Sequence, residues 1–372
     1  MRQSVYDAAL SGAIVVDRTD LGLVRVWGRD PVRMLHGLMS NDVQSLAAGH
    51  ALYATLLTPK GRMLADPRII RRADDLLLEA DSAAITNIID TFGRTVPPLF
   101  ARVERLDGQL AVLGVYGPAA GRIIAGVMGV ASHASMGAGD NFAAGSAPGG
   151  AAGAGDGSGG RPGATGDAPS MFAAALATVP VDDSVFASFG DAELILLRTD
   201  RASVEGWDII VASDQVEALR GALEAAGAIP GDIETLDVLR VEAGRPRWGA
   251  ELTEDVIPLE AGLMDRAIST TKGCYTGQEV IIRILHRGHV NRHLRGLRLV
   301  SGAAAAGQEL FHPEIRPGKP VGTVTSAASS PRLGAIALGY VRREIEPGAT
   351  VHVGSPDGPH AAVVELPFRI PD

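Results

Sequence analysis

The sequence is poor in cysteine: Cys274 is the only one among its 372 residues. A single cysteine excludes an internal disulfide and is typical of a protein that works in a reducing compartment. Long hydrophobic runs are also missing, since no apolar stretch approaches the roughly 18 residues of a membrane-spanning helix. The residues from Met1 onwards lack the apolar core of a signal peptide. We therefore predict a cytoplasmic protein with no membrane segment.

Lysine and aromatic residues are scarce as well. Lys60, Lys272 and Lys319 are the only lysines, and aromatic residues make up 4% of the chain. Hydrophobic residues make up 46%, so we expect an aliphatic core. The formal net charge of -9 argues against bulk binding of nucleic acid, and direct nucleic-acid binding is not expected.

The order of strand and helix signals along the chain predicts an α+β fold that is interrupted near the middle of the sequence by an insert. Strands joined by short turns and followed by helices predict an α+β body, in an N-terminal part at 1–136 and a second part at 171–290. Between them, 137–170 consists mainly of Gly, Ala, Ser, Pro and Asp, which predicts a disordered insert. In 291–372 short strands alternate with Gly/Pro turns, which predicts an antiparallel β-barrel.

The densest group of signals lies at 271–283. Thr276 and Glu279 have the spacing of a capping box, in which each side chain satisfies a backbone N–H of the other. Apolar residues then recur at helical spacing until Gly288. The β-branched run 280–282 favours a strand instead. We predict a helix, because the capping box, the helical spacing of the apolar residues and the glycine at the end all agree with one.

That helix suggests a reactive cysteine. Cys274 would lie just before the helix N-terminus, where the macrodipole favours negative charge, and Lys272 would add a second positive influence. Both residues are therefore predicted to be catalytic. The alternative is that Cys274 is a small buried hydrophobic residue, which is common for a lone cysteine.

Several segments resemble the YgfZ-type folate-binding proteins, relatives of the aminomethyltransferase (T-protein) of glycine cleavage. The string KGCYTGQE at 272–279 matches the signature of that family at every fixed position. The segments at 239–249 and 257–260 are similar to the family's preceding segment. SNDV at 40–43 and PKGR at 59–62 resemble its N-terminal motifs.

The resemblance implies a T-protein-like folate-binding body followed by the C-terminal barrel. It also implies a tetrahydrofolate or one-carbon derivative as cofactor, and iron–sulfur proteins or their assembly factors as partners, with a tRNA-modifying enzyme among the candidates. The cofactor-binding residues expected from the matched motifs are Asn41, Asp42, Tyr275, Gln278 and Glu279.

Four further residues are candidate ligands of the cofactor. Arg240 and Glu242 lie off the apolar face of a predicted helix that Asp232 caps, and are expected to be free for ligand or solvent. Arg283 belongs to a basic strip that suits a phosphate or the glutamate tail of a folate. Asp66 follows the Gly-containing turn at the position where aminomethyltransferases carry a pair of acids, one of which works beside the folate.

Two features restrict the chemistry. Asp66 stands without a second acid beside it, and 198–206 only loosely resembles the folate-binding glutamate segment of the aminomethyltransferases, which argues against aminomethyl transfer. His286, His289 and His293 lack a second cluster of ligands, so no metal site is predicted.

The leading hypothesis is a folate-binding protein that supports iron–sulfur cluster assembly or repair, with Cys274 as a functional thiolate. Because a cluster ordinarily takes four protein ligands, Cys274 would supply one ligand of a shared cluster or act in transfer. One alternative is a folate-dependent aminomethyltransferase of glycine cleavage. The other is a non-catalytic scaffold that docks tRNA or a tRNA-modifying enzyme.

Overall fold

The computed structural model describes residues 1–130 and 168–369. Its helices begin where local signals allow them: Pro31 occupies the first turn after Asp30, and the Asp232 carboxylate accepts the N–H of Thr235 at 2.7 Å. Within the described part of the chain, no helix is long and apolar enough to cross a membrane. The helices are α1 (Gln3–Ser11), α2 (Pro31–Leu38), α3 (Ile85–Thr95), α4 (Ala120–Val127), α5 (Ala168–Thr178), α6 (Val216–Ala225), α7 (Ile233–Glu242), α8 (Met264–Ala267) and α9 (Gln278–Arg287).

The strands form two sheets, a short hairpin and a barrel. Most are rich in valine, isoleucine and leucine, as expected for strands buried on one or both faces. They are β1 (Ile14–Asp17), β2 (Leu21–Trp27), β3 (Ala51–Tyr53), β4 (Leu56–Leu57), β5 (Met63–Ala65), β6 (Arg68–Arg71), β7 (Leu76–Asp81), β8 (Arg102–Arg105), β9 (Leu110–Tyr116), β10 (Gly129–Val130), β11 (Ser184–Phe189), β12 (Ala192–Thr199), β13 (Gly206–Ala212), β14 (Ile229–Pro230), β15 (Arg292–Leu299), β16 (Glu309–Phe311), β17 (Gly322–Ser330), β18 (Gly334–Arg342), β19 (Thr350–Val353) and β20 (His360–Val364).

The larger sheet joins the two predicted parts of the body. Its order is β10-β11-β12-β13-β9-β1-β14, and only the β1–β14 pair is parallel among its strand pairs in the described residues. Strands from 1–136 and from 171–290 therefore belong to one sheet. Most of the predicted insert at 137–170 lies outside the described residues, while its last residues, from Ala168 onwards, belong to α5.

The second sheet has the order β3-β6-β7-β2-β8 and stacks on the first. Apolar residues of β2, β6 and β7 pack against residues of β9, β12 and β13, exemplified by Leu77 and Ile210, which are both fully buried. The strands β4 and β5 follow β3 in the sequence and pair only with each other, as a separate hairpin. The two stacked sheets therefore share an apolar layer, as expected for sheet-on-sheet packing.

The C-terminal strands close into a barrel in the order β15-β18-β17-β16-β19-β20, with β15 and β20 paired to complete the ring. Its interior is aliphatic, and the predicted antiparallel barrel is confirmed. The largest apolar cluster connects the second sheet to α3, to Tyr275 and Ile281, and to barrel residues such as Leu338. The predicted α+β body followed by a barrel is thus the observed fold.

Candidate functional site

A cavity of about 460 Å³ lies among α7, the loop that follows it and the ends of β5, β6 and β12. This volume is within the usual range of small-molecule pockets. The lining combines arginines, acids and a few apolar side chains. They are Arg18, Asp20, Leu21, Tyr53, Asp66, Arg68, Asp81, Asp200, Arg201, Ile233, Glu234, Leu236, Asp237, Arg240, Arg245, Pro246, Arg247, Trp248, Leu263 and Arg266.

Asp66 is the carboxyl group of this cavity that is best suited to proton transfer. Burial raises the pKa of Asp66 to about 6. The Tyr53 hydroxyl donates a hydrogen bond of 2.9 Å to its Oδ2, and Asp66 forms no ion pair with any described residue. A carboxyl group with a pKa near the working pH can both hold and release a proton, which is what general acid–base catalysis requires.

The arginines deep in the cavity are paired with buried acids. Arg201 contacts Glu79 at 2.7 Å and Asp208 at 2.5 Å, and Arg68 contacts Asp182 at 2.9 Å. Both acids that bind Arg201 are fully buried, and these charges are compensated where they lie. The paired arginines therefore hold the shape of the cavity and leave little charge for a ligand.

Arg247 differs from the deep arginines. Its Nε lies 3.4 Å from Asp237, and its side chain is 50% exposed. Trp248 beside it is buried and lines the cavity together with Leu236 and Leu263. The cavity thus has an apolar wall that suits a flat ring and a more loosely held guanidinium that suits a carboxylate.

Asn41 contacts the backbone of two residues that line the cavity. Its Nδ2 donates to the backbone carbonyl groups of Tyr53, at 2.8 Å, and of Arg266, at 3.2 Å. Asp42 accepts hydrogen bonds from the N–H and hydroxyl of Ser45 and lies outside the lining. Asn41 lines a neighbouring open cleft and not the cavity. The structure thus does not bring these two predicted ligands into the cavity.

Lys272 points away from solvent and into the chain. Its Nζ donates to the backbone carbonyl oxygens of His36 at 2.5 Å, Met39 at 2.6 Å and Asn41 at 3.1 Å. Burial lowers the pKa of Lys272 to about 8. The ammonium therefore ends α2 by satisfying free carbonyl groups, instead of acting on the Cys274 thiol as predicted.

The predicted helix after Cys274 is present as α9, but without the capping box. Gly277 precedes it with a φ of +84°, and no side chain caps its N-terminus. Cys274 is exposed, whereas Tyr275 is buried and burial raises its pKa to about 12. Neither residue lines the cavity.

The predicted ligands on α9 lie at the surface. Glu279 and Arg283 pair with each other at 2.6 Å, one turn apart, and their side chains are 83% and 68% exposed. Gln278 begins the helix and lies outside the cavity lining. A pair of exposed charges one turn apart stabilises a helix modestly, and this is the role that the geometry supports.

Glu242 is a correction to the prediction that it is free for a ligand. Its fully buried carboxylate accepts hydrogen bonds from Tyr6 at 2.5 Å, Ser330 at 2.5 Å and Ser203 at 2.8 Å, and it pairs with Arg332. These residues come from α1, from the barrel and from the loop after β12. Glu242 therefore ties the body to the barrel.

Arg240 lines the cavity but is already engaged. Its guanidinium contacts Asp237 at 2.7 Å, Glu251 at 3.0 Å and the Ser326 hydroxyl at 2.8 Å. It is buried, so the expectation of a free side chain was wrong. Among the described residues, no group of three or more His, Cys, Asp and Glu is arranged to hold a metal ion.

Comparisons with known proteins agree with this geometry. The family model described as "GCVT N-terminal domain" matches residues 4–140, and "Glycine cleavage T-protein C-terminal barrel domain" matches residues 292–368. The chain belongs to the glycine cleavage T-protein superfamily. Together the two matches span the N-terminal body and the barrel.

Relatives in this superfamily cover nearly the whole chain. The aminomethyltransferase of Rubrobacter xylanophilus is 27% identical over 98% of this chain and 85% of its own length. That of Bacillus subtilis is 25% identical over 88% and 79%. The crystal structure of aminomethyltransferase T from Bartonella henselae, at 21% identity, superposes with a TM-score of 0.76 over 98% of this chain and 89% of its own, which shows a shared fold.

These comparisons correct the leading functional hypothesis. Support of iron–sulfur clusters through a Cys274 thiolate is wrong as the main interpretation, because the relatives are named aminomethyltransferase. Iron–sulfur and tRNA partners find no support among them. The aminomethyltransferases of this superfamily use tetrahydrofolate, so the predicted cofactor is confirmed at the level of the family.

Several cavity residues of this T-protein relative were not anticipated from sequence. Four of them lie on strands, in a loop or in the short α8, where the sequence does not distinguish a cavity-lining arginine or tyrosine from one at the surface: Tyr53, Arg68, Arg201 and Arg266. Trp248 could have been singled out, because it lies in the segment 239–249 that resembles the family and aromatic residues are scarce in this chain.

Proposed function

We propose that the chain is a folate-dependent aminomethyltransferase that binds tetrahydrofolate in the cavity beside Asp66. The observation that carries this proposal is the Asp66 carboxyl, half-buried in the cavity, with its pKa raised to about 6 by burial and its orientation set by Tyr53. A second acid beside Asp66 is not needed for one group to exchange a proton near neutral pH. The absence of the adjacent acid is thus compatible with transfer.

The residues of the cavity fit tetrahydrofolate. Trp248, Leu236 and Leu263 offer an apolar wall for the pterin ring, and this wall lies within the same cavity as Asp66. Arg247 would hold a carboxylate of the glutamate tail, since its side chain is 50% exposed. Arg245, which is 35% exposed and pairs with Asp200, would assist it. Bound tetrahydrofolate supplies the amine that accepts the one-carbon unit.

Each protein group then has a defined task. The Asp66 carboxyl holds a proton at Oδ1 or Oδ2 and exchanges it with the reacting groups. The Tyr53 hydroxyl donates a hydrogen bond to Oδ2 and so fixes the orientation of the carboxyl group. The deep pairs formed by Arg201 and Arg68 keep the cavity open with their charges compensated.

Binding and transfer can be tested separately. Calorimetry with tetrahydrofolate should give saturable binding to the native protein and to Asp66→Asn. Ammonia release from an aminomethylated lipoyl carrier protein should fall about 10²–10⁴-fold in Asp66→Asn. Asp214→Asn changes an exposed acid outside the cavity lining and should match the native rate. Binding without any turnover in the native protein would overturn the transferase proposal.

The finer assignment within the superfamily rests on the residues 272–279. Their match to the YgfZ-type signature stays a prediction. In the transferase proposal this segment has a supporting role, because Lys272 contacts the backbone of α2 and the residues after it.

A further inference from the structure

The turn that follows α2 is held by a buried lysine. The carbonyl oxygens of His36, Met39 and Asn41 converge on one point, and the Lys272 ammonium occupies it at 2.5, 2.6 and 3.1 Å. Lys272 is 8% exposed, so water has little access to replace it. A compact ammonium with three donors fits three converging acceptors, whereas the planar fork of an arginine does not.

The held turn continues into the cavity through Asn41. The Asn41 Nδ2 donates to the Tyr53 carbonyl oxygen at 2.8 Å and to the Arg266 carbonyl oxygen at 3.2 Å. The guanidinium of Arg266 lies 5.2 Å from the centre of the Tyr53 ring, and that of Arg68 lies at the same distance. Tyr53 is therefore fixed by Asn41 at its backbone and by two cations at its ring.

Tyr53 in turn orients the carboxyl group of Asp66. Its hydroxyl is the described hydrogen-bond donor to Asp66, at 2.9 Å. The contacts thus form one continuous series from Lys272 through Asn41 and Tyr53 to Asp66. We propose that Lys272 is a positioning residue for Asp66, acting through Asn41 and Tyr53, and that this is what the KGCY segment contributes to the reaction.

This inference rests on the proposed function only in giving Asp66 a catalytic task. Lys272 does not line the cavity, and a direct contact between its ammonium and a ligand there is not part of the geometry. The centre of the Tyr275 ring lies 5.2 Å from the Lys272 Nζ. Two other titratable groups nearby, His36 and Asp42, pair with each other at 3.3 Å. Asp42 is the acid that faces Lys272 electrostatically.

The pKa of Asp66 in the ligand-free protein is the decisive measurement. Carbon-13 NMR of protein labelled at the aspartate carboxyl carbons reports it, and Asp66→Asn assigns the resonance. In Lys272→Met the pKa should rise by at least about half a unit, because a displaced Tyr53 no longer donates to the carboxylate and that hydrogen bond holds the pKa of Asp66 down. Lys319→Met, an exposed lysine of the barrel, should leave it unchanged.

A second variant breaks the same series one step later. Asn41→Ala keeps the Lys272 clamp and removes the donor to Tyr53, so it should produce a similar shift, and it decides the question by itself if Lys272→Met does not fold. A folded variant with a lowered melting temperature and an unchanged pKa of Asp66 would show that Lys272 only stabilises the end of α2, and would overturn the inference. Because no folate is present, this result is independent of whether the chain binds tetrahydrofolate.

Discussion

Gly277 lies directly against Gly61, so that the two motifs 272–279 and 59–62 meet in space. A Cβ on Gly277 would lie 3.2 Å from the Cα of Gly61 and 2.6 Å from the carbonyl oxygen of Thr58. Both glycines have positive φ values, +84° and +73°. The KGCYTGQE segment can therefore approach the turn between β4 and β5 only because neither residue carries a side chain.

Replacing Gly277 by alanine should be markedly destabilising. The left-handed backbone alone costs about 1–2 kcal/mol, and the contact with Thr58 adds an overpacking cost of about 1–3 kcal/mol. Gly108→Ala is the matched control, because Gly108 has a φ of +75° but a Cβ added there would meet nothing within 4 Å. Chemical denaturation of both variants should show a clearly larger loss for Gly277→Ala; equal losses would mean that the close approach is not tight.

Asp66→Asn should stabilise the folded protein at neutral and alkaline pH. Burial raises the pKa of Asp66 to about 6, so the ionised carboxylate costs folding free energy above that pH and costs none below the unfolded-state value of about 3.9. Removing the charge should raise the free energy of unfolding at pH 8 by at most about 3 kcal/mol, with the gain vanishing near pH 4. Denaturant titrations at the two pH values measure this; a variant less stable than the native protein at pH 8 would contradict it.

The elements of the barrel could be predicted because their signals are local. Short apolar runs between glycine and proline turns mark most of β15 to β20, and the β16–β17, β17–β18 and β19–β20 pairs join sequence neighbours, which needs little long-range information. The body was harder, since its larger sheet inserts β1 and β14 beside strands far away in the chain. Periodicity identifies such strands without showing their order.

The site was predicted only in part for a similar reason. The helical period predicted that Glu242 lies off the Leu236 and Leu239 face of α7 and is free, but that helix also packs on β17 and leaves no free face there. A buried arginine such as Arg201 has the same local pattern as an exposed one. Its partners Glu79 and Asp208 are brought to it by tertiary structure alone.

Trp248 should contribute to the binding of tetrahydrofolate. If its ring forms the apolar wall for the pterin, Trp248→Leu should weaken binding about tenfold, which corresponds to the roughly 1.4 kcal/mol expected for losing an aromatic contact. Trp27→Leu removes a tryptophan of β2 that lies outside the cavity lining and should leave the dissociation constant unchanged. Calorimetry at one pH compares the three proteins; equal affinities would exclude Trp248 from the folate site.

Glu242→Gln should weaken the connection between body and barrel without affecting the cavity. Burial alone would raise the pKa of Glu242, but the hydrogen bonds from Ser330, Tyr6 and Arg332 lower it below its ordinary value. The carboxylate therefore stabilises the fold above the unfolded-state pKa of about 4.3, and this stabilisation is lost as the pH falls through the lower folded-state value.

The amide retains the size of the side chain but removes the charge that compensates Arg332, so we expect a loss of about 2–4 kcal/mol at pH 7. The difference between variant and native protein should shrink as the pH is lowered towards the folded-state pKa of Glu242. Glu217→Gln, at a side chain that is 90% exposed, should change stability by less than about 0.5 kcal/mol. Because Glu242 does not line the cavity, the dissociation constant of tetrahydrofolate should stay the same where the variant is folded. A stable variant that binds folate weakly would instead return Glu242 to the ligand site that its helical position first suggested.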